Sequence, residues 1–553
     1  MQRQLIECVP NISEGRDRAR IDAIASVVES VEGVRLLDID PGKATNRTVI
    51  TFVGEPAQVC EAAFRLIKKA QELIDMRGHK GEHPRFGATD VCPLVPISGI
   101  SMEECAAWAR KLGERVGREL GIPVYLYEAA ASEEKRKNLA NNRSGEYEGL
   151  PKKLKDPAWK PDFGPAEFND SVARSGAIAI GARNFLVAYN VNLNTTSTRR
   201  ANAIAFDIRE AGRKVKQADG SEVQVPGKLK SVKGIGWFIE EYGIAQLSLN
   251  LTDIAVTPVH AAFDEACKAA EARGIRVTGS ELVGLIPKQA LLDAADFYLA
   301  RQQRSLGIPE REKIKIAVKS LGLDDLGPFD PQKKVIEYML EEAGSERLVR
   351  MDLKRFSEET ASESPAPGGG SVAAYVGALG AALGTMVASL SAHKRGWDDR
   401  WEEFSRWAVK GEQLRNELLF LVDEDTRAFD RIMAAMGLPK GSDEEKAARK
   451  AAITEATKGA ISTPLRTMQV CVDSMGLMKA MAEHGLPASV SDAGVGALCA
   501  RAGALGAYLN VRINCAGLDD AAFKGEVLTQ AEALKAKAEA LEAEVMAVTL
   551  SKV

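Results

Sequence analysis

The apolar pattern changes period near residue 341, and that change limits the possible folds more than any other feature of the chain. Before it, short β-rich runs alternate with amphipathic stretches: VRLLDID at 34–40, RTVITFVG at 47–54, EAAFRLIKKAQELID at 61–75 and DVCPLVPI at 90–97. Strand periods interleaved with helix periods specify α/β architecture. Asn11, Ser13 and Asp17 supply turn and capping chemistry ahead of IDAIASVVESV, and Gly33 is expected to close that helix. A second block of the same kind opens at NFLVAYNVNLN (184–194), whose nearly continuous apolar run suits a buried strand. It continues as a helix ANAIAFDIREAGRKV (201–215), a strand AQLSLNLTD (245–253), a helix FDEACKAAEARG (263–274) and a strand IRVTGSELVGLI (275–286). Beyond the polar EEAGSERL (341–348) every long segment carries helical periodicity, including WEEFSRWAVKGEQLRNELLFLVDEDTRAFDRIM, STPLRTMQVCVDSMGLMKAMAEHG and LTQAEALKAKAEALEAEVMAV.

The 553 residues therefore predict several globular units: α/β subdomains over 1–182 and 183–340, a linker over 341–348 and an all-α helical bundle over 349–553. Ser371 to Ala392 is long enough to cross a bilayer. It is built mostly of Ala, Gly and Ser, which favour close packing in a bundle over insertion, so a buried helix and no membrane span is expected. A net charge of -4 gives no broad electrostatic reason to expect nucleic acid as a partner. Eight scattered cysteines without a CxxC pair, and an N-terminus without a long apolar stretch, predict a cytoplasmic protein.

Two of the five histidines, His79 and His83, lie together in RGHKGEHPRFGATD. Their spacing of four matches zinc ligands on a helix, but Gly81 between them and Pro84 after them oppose a helix, and no metal is expected. A loop imidazole between strands suits proton transfer near neutral pH, with Arg85 and Asp90 placed to orient it or to bind a carboxylate; a solvated loop histidine is the competing reading. In the long helix after Glu412, apolar residues fall at Leu414, Leu418, Leu421, Ala428 and Ile432, and Asp425 occupies the missing step of that seam. Its neighbour Asp423 lies ~200° around the helix, toward the polar side. A carboxyl on an apolar seam is either a buried structural group or one whose pKa is raised for acid and base work. Upstream, PAPGGGSVAA places Gly368, Gly369, Gly370 and Ser371 at a helix start whose free N–H groups suit an anion or an electron-rich ring. No Lys-Ser/Thr pair follows, so it is not a Walker A loop. Ser491 and Asp492 are expected to cap a further helix.

Taken together, these segments resemble the bifunctional glutamate formiminotransferase and formiminotetrahydrofolate cyclodeaminase family. The resemblance is carried by ECVPNISEG, LLDIDPGKATNRTV, GEHPRFGATDVCP, IPVYLYEAA, GEYEGLPKKL, PDFGP, GARNFLVAYNVNL, KGIGWF and LVGLIPKQALLDAA, then by PAPGGGSVAA, LVDEDTRAF, the LPKGSDEEK run, SDAGVGA and GAYLNVRIN. It implies two α/β transferase subdomains followed by an all-α cyclodeaminase domain that forms a homodimer, with higher homo-oligomers known in the family. It implies that His83 is the transferase's catalytic histidine and Asp425 the cyclodeaminase's aspartate. It places the folate stretch over residues 164–176, with Gly164, Pro165, Ala166, Glu167, Phe168, Ser175 and Gly176 as folate-binding candidates.

The implied activity is transfer of the formimino group from formiminoglutamate to tetrahydrofolate, then ring closure to 5,10-methenyltetrahydrofolate with loss of ammonia. The folate, with its polyglutamate tail, is a co-substrate, and no tightly bound cofactor is expected. Arg47, Arg85 and Arg183 are candidates to hold substrate carboxylates. Lys228, Lys230 and Lys233 are candidates to attract the tail, with a solvated loop as the plainer reading. The rival functional reading leaves one of the two domains inactive, as a folate-binding or dimer-forming module.

Overall fold

The computed structural model describes residues 4–42, 46–81, 85–217, 219–340 and 348–553. Its contacts divide the chain into one unit from Met1–Leu291 and Leu321–Glu341 and another from Leu292–Ser320 and Glu342–Val553. Residues Leu292–Ser320, expected with the second α/β subdomain, thus group with the helical unit. All but Leu348 of the expected linker lies outside the described residues.

The first sheet contains β1 (Leu5–Cys8), β2 (Asn11–Ile12), β3 (Arg35–Gly42), β4 (Arg47–Gly54), β5 (Thr89–Ser98), β6 (Val124–Glu128) and β7 (Ile178–Ala182). β3 pairs with β4, β1 and β2 both lie between β4 and β5, and β7 then β6 extend the sheet in parallel. Helices α1 (Arg18–Glu29), α2 (Pro56–Leu73) and α3 (Met102–Leu120) cover one face. Asp17 caps α1 as expected, accepting the Arg20 N–H, but α1 ends at Glu29 and Gly33, at φ 82°, turns the chain afterwards into β3. α2 starts earlier than its apolar run predicts because Pro56 fits the first turn.

Strand alternation sorts this sheet chemically. Ile6 and Cys8, Ile50 and Phe52, and Ile39 pack against the helices. Their sequence neighbours Glu7, Val49, Thr51, Asp38 and Asp40 turn to the other face and line a cleft. Carboxylates on alternate strand positions are thereby gathered on the side without helices.

The second sheet, in the order β11–β12–β8–β13, is antiparallel and comprises β8 (Val187–Leu193), β11 (Val232–Ile239), β12 (Ile244–Leu251) and β13 (Val277–Val283). Helices α4 (Thr198–Ile208) and α5 (Val259–Glu271) belong to this block. The helix expected over 201–215 stops at Ile208: Gly212 turns back at φ 61°, and β9 (Arg213–Lys216) pairs with β10 (Glu222–Val225). Any Cβ at Gly212 would lie 1.8 Å from the Val225 carbonyl oxygen, so glycine at that position fixes the hairpin's approach.

The helical unit is built on α6 (Gly369–Ala392), α7 (Trp401–Met436), α8 (Asp443–His484), α9 (Val490–Ala516) and α10 (Ala521–Leu550). Among the described residues, α6 is the one helix long and apolar enough to cross a membrane, and it is mostly buried against α7, α8 and α9. Glycines make this close packing possible: a Cβ on Gly380 would lie 2.6 Å from the Gly496 carbonyl oxygen of α9. The expected cap at Ser491 and Asp492 is displaced. A short turn at Pro487–Ser489 starts α9 at Val490, so both residues fall inside its first turn. Asp423 is also not on a solvated side, being 8% exposed, because the backbone at Val349 packs there and its N–H approaches Oδ1 at 3.4 Å.

Candidate active sites

The cleft of the α/β unit lies on the helix-free face of the first sheet. β1, β3 and β4 supply Glu7, Asp38, Asp40, Val49 and Thr51, and Asn11 stands on β2. Arg183 follows the end of β7, while Phe185, Leu186, Ala188 of β8 and Val283, Gly284, Leu285 at the end of β13 close the other side. Apolar residues alternate with a cluster of polar ones, Glu7, Asn11, Asp38, Asp40, Thr51 and Arg183, in a concave site. Glu7 is 4% exposed. Burial pushes its carboxyl up to about 7 against the pull of Arg183. Asp38 is also raised, by burial first and by the Asp40 charge second.

The three candidate arginines fare differently. Arg183 lines the cleft. Arg47 is committed to the fully buried Asp90 and to Asn11 Oδ1 at 3.1 Å, and Asp90 takes a second guanidinium, Arg143, at 2.9 Å. Arg85 is ion-paired with Glu148. Two guanidiniums on one buried carboxylate leave one positive charge in excess at this cluster. Lys228 and Lys230 face Glu265 and Glu210.

His83, with Glu82 and Pro84, lies outside the described residues. The described residues before and after that gap in the chain are placed as follows. His79 Nε2 meets the Asn46 carbonyl at 2.9 Å, and burial lowers its pKa, so it stays neutral near pH 7. Downstream, Gly87 packs on Gly176 so closely that a Cβ on Gly176 would lie 2.5 Å from the Gly87 Cα. The Ser175 carbonyl accepts the Ala88 N–H at 2.7 Å, and Phe168 packs with Tyr147 over the Phe86 cluster. The candidate folate stretch, from Gly164 at φ 83° through Pro165, Ala166, Glu167 and Phe168 to Gly176, thus runs beside the residues that follow His83, and none of its residues lines the cleft.

The second site sits where α6 begins. Gly368, Gly369, Gly370, Pro365 and Ala366 form one wall of a pocket; Asp425, Thr426, Phe429 and Ile432 of α7, Ala460 of α8, and Asn510 and Asn514 of α9 form the rest. Asp425 reaches over the helix start. A Cβ on Gly370 would lie 2.1 Å from Asp425 Oδ1, so only glycine admits the carboxyl there. Ser371, fully buried, has its Oγ 3.0 Å from the Val422 carbonyl and 3.1 Å from Asp425 Oδ2. With one proton and two acceptors, this hydroxyl donates to Asp425 when the carboxyl is ionised, and donates to Val422 while accepting from Asp425 when it is protonated. Both states keep a hydrogen bond. Burial nonetheless raises the Asp425 pKa, outweighing Ser371.

Apolar periodicity singles out Asp425 and the PAPGGGSVAA helix start singles out Gly368 to Ser371, and the structure brings them together. It does not single out Glu7, Asp38 or Asp40, although the alternation in LIEC and LDID carries the signal, nor Asn510 and Asn514, one helical turn apart in GAYLNVRIN. A Gly370→Ala chain is expected to displace the Asp425 carboxyl by about an ångström. Overpacking of this kind costs about 1–3 kcal/mol, and misplacement on this scale lowers the rate at this site by roughly a hundredfold. Kinetics of the two sites, measured separately, check it: activity in the α/β unit should be unchanged.

Comparison with known proteins divides the chain near residue 341 and keeps residues 292–320 with the second α/β block. Residues 5–183 match the model of the formiminotransferase domain, N-terminal subdomain, residues 188–341 the formiminotransferase domain, and residues 352–533 the formiminotransferase-cyclodeaminase model. The chain is 47% identical over 525 residues to a formimidoyltransferase-cyclodeaminase of Gallus gallus, covering 95% of this chain and 94% of that one. A glutamate formimidoyltransferase of Thermoplasma acidophilum is 46% identical over 297 residues, 53% of this chain and 92% of its own length. A methenyltetrahydrofolate cyclohydrolase of Methylorubrum extorquens is 43% identical over 201 residues, 36% of this chain and 97% of its own.

Proposed function

The chain belongs to the formimidoyltransferase-cyclodeaminase family, a family of bifunctional folate enzymes, and from that premise we propose how its residues divide the two reactions. Tetrahydrofolate is the co-substrate of the first, and its 5-formimino product is the substrate of the second. In the transferase reaction N5 of tetrahydrofolate attacks the formimino carbon of formiminoglutamate, and collapse of the tetrahedral intermediate expels glutamate. His83 accepts the N5 proton and returns one to the departing nitrogen. Arg183, which lines the cleft, holds a substrate carboxylate. The 164–176 stretch, whose end packs on Phe86 to Ala88, binds folate.

In the cyclodeaminase reaction N10 attacks the same carbon, ammonia leaves and 5,10-methenyltetrahydrofolate forms. Asp425 accepts the N10 proton and delivers it to the leaving nitrogen, while the N-terminus of α6, from Gly368 to Ser371, seats the folate ring. The observation that supports this assignment most is the Asp425 carboxyl lodged against Gly370 and Ser371, with a hydrogen bond available in either protonation state. Supplying 5-formiminotetrahydrofolate directly tests it, since cyclisation must then proceed without formiminoglutamate. The match to a cyclohydrolase over the helical third supports a second reading, in which water attacks the methenyl carbon at this pocket. Formation of 10-formyltetrahydrofolate from methenyltetrahydrofolate, faster than the buffer rate, would identify it.

The working form is a homodimer through the helical unit, and the reaction belongs to the cytoplasm, where the eight free thiols stay reduced. Leu379, Met386 and Leu390 on α6 and Val495, Leu498, Leu509 and Ile513 on α9 are exposed apolar side chains on two adjoining helices, and they supply the apolar surface for that contact. Sedimentation of a Leu498→Glu chain should show dimer dissociation strengthened about 30-fold or more, the loss expected for a central interface side chain; an unchanged constant would place the dimer elsewhere.

A further inference from the structure

Glu7 is a buried ionisable group to which neither reaction assigns a role. It stands between Ile6 and Cys8 on β1, on the face opposite the helices, and is almost wholly buried at the wall of the cleft. Its carboxyl makes no hydrogen bond or ion pair among the described residues. The charged and titratable groups around it are Arg183, Asp38 and Asp40 in the cleft and the buried Cys8 thiol behind it. A buried carboxyl without a partner is costly to keep, and one facing an open cavity is completed by whatever enters that cavity. With Asp38 and Asp40 nearby, the cleft carries three carboxyls against one guanidinium, so the missing partner is a donor of hydrogen bonds.

We propose that Glu7 is a substrate-contacting carboxyl that accepts two N–H groups from an amidine-type N–C–N edge, bidentately, at the floor of the transferase cleft. Both substrates carry such an edge: the pterin ring in its 2-amino and N3–H pair, and formiminoglutamate in its protonated formimino group. The assignment rests on the transferase reading of this cleft. A carboxylate meets such an edge through two parallel N–H···O bonds, and an amide cannot, since one of its two atoms is itself a donor.

Steady-state transfer by Glu7→Gln, with both substrates varied, tests this. Catalytic efficiency, kcat/KM, is expected to fall at least about 30-fold, the discrimination that a bidentate pair of this kind supplies. The loss should appear as a raised KM for tetrahydrofolate if the ring is held, and as a raised KM for formiminoglutamate if the formimino group is held. Both KM values within threefold of the parent would overturn it. Glu7→Asp, which keeps the carboxyl one methylene back, gives the same substrate-specific loss in smaller degree and serves if the Gln chain does not fold. Absence of transfer by the parent chain would instead count against the cleft as the transferase site.

Discussion

An Asp425→Asn chain should cyclise 5-formiminotetrahydrofolate about a thousandfold more slowly than the parent, the middle of the range for loss of a general acid–base group, while transferring the formimino group at the parent rate. The substitution is close in shape, and the amide can still meet Ser371 Oγ, so the loss should fall in kcat more than in KM. Stability separates this from a structural role. Because burial raises the Asp425 pKa in the folded chain, the fold favours the protonated form; the group's contribution is fully present below the unfolded carboxylate pKa and is lost as pH rises through the folded value. At pH 8 the Asn chain should therefore be at least as stable as the parent, measured by thermal unfolding. A buried structural aspartate would show the reverse, unfolding at lower temperature with cyclisation merely reduced. The parent's cyclisation rate should also rise with pH through a limb above the ordinary carboxylate range, and that limb should be missing in the Asn chain.

Replacing His83 by alanine should produce the complementary result. Transfer should fall by roughly 10²- to 10⁴-fold, the contribution of a positioned general base and acid, while cyclisation of preformed 5-formiminotetrahydrofolate is untouched. His79→Ala is the control within the same segment. Its imidazole is held neutral by burial and is engaged with the Asn46 carbonyl, so its loss should affect stability before it affects the chemistry. Release of glutamate from formiminoglutamate, followed enzymatically, measures both. Comparable losses from the two alanines would move the catalytic assignment from His83 to the loop as a whole.

How far the sequence reveals this molecule depends on whether the relevant physics is local. Period-2 and period-3.6 patterns locate most of the strands and helices because they record which face of each element is buried. The helix expected over 201–215 is too long because the turn at Gly212 is set by β9 pairing with β10, a contact that helix periodicity does not see. Asp425 is legible because an aspartate on an apolar seam violates its own helix's pattern. Asp423 misleads for the same reason in reverse: helix phase puts it on the polar side, but the Val349 backbone covers that side. The cleft carboxyls are written in the alternation of LIEC and LDID, yet only the sheet, which sets β1, β3 and β4 side by side, makes one site of them. The arginines cannot be ranked from sequence because their partners Asp90, Glu148 and Asn11 are distant in the chain.

The most direct test of two consecutive reactions on one chain is to mix the purified protein with tetrahydrofolate and formiminoglutamate and follow three products together: glutamate, ammonia and the near-ultraviolet absorbance of methenyltetrahydrofolate. All three should appear in equal amounts. Glutamate without ammonia or methenyltetrahydrofolate would contradict the assignment of the helical unit, and the absence of all three would contradict the account as a whole.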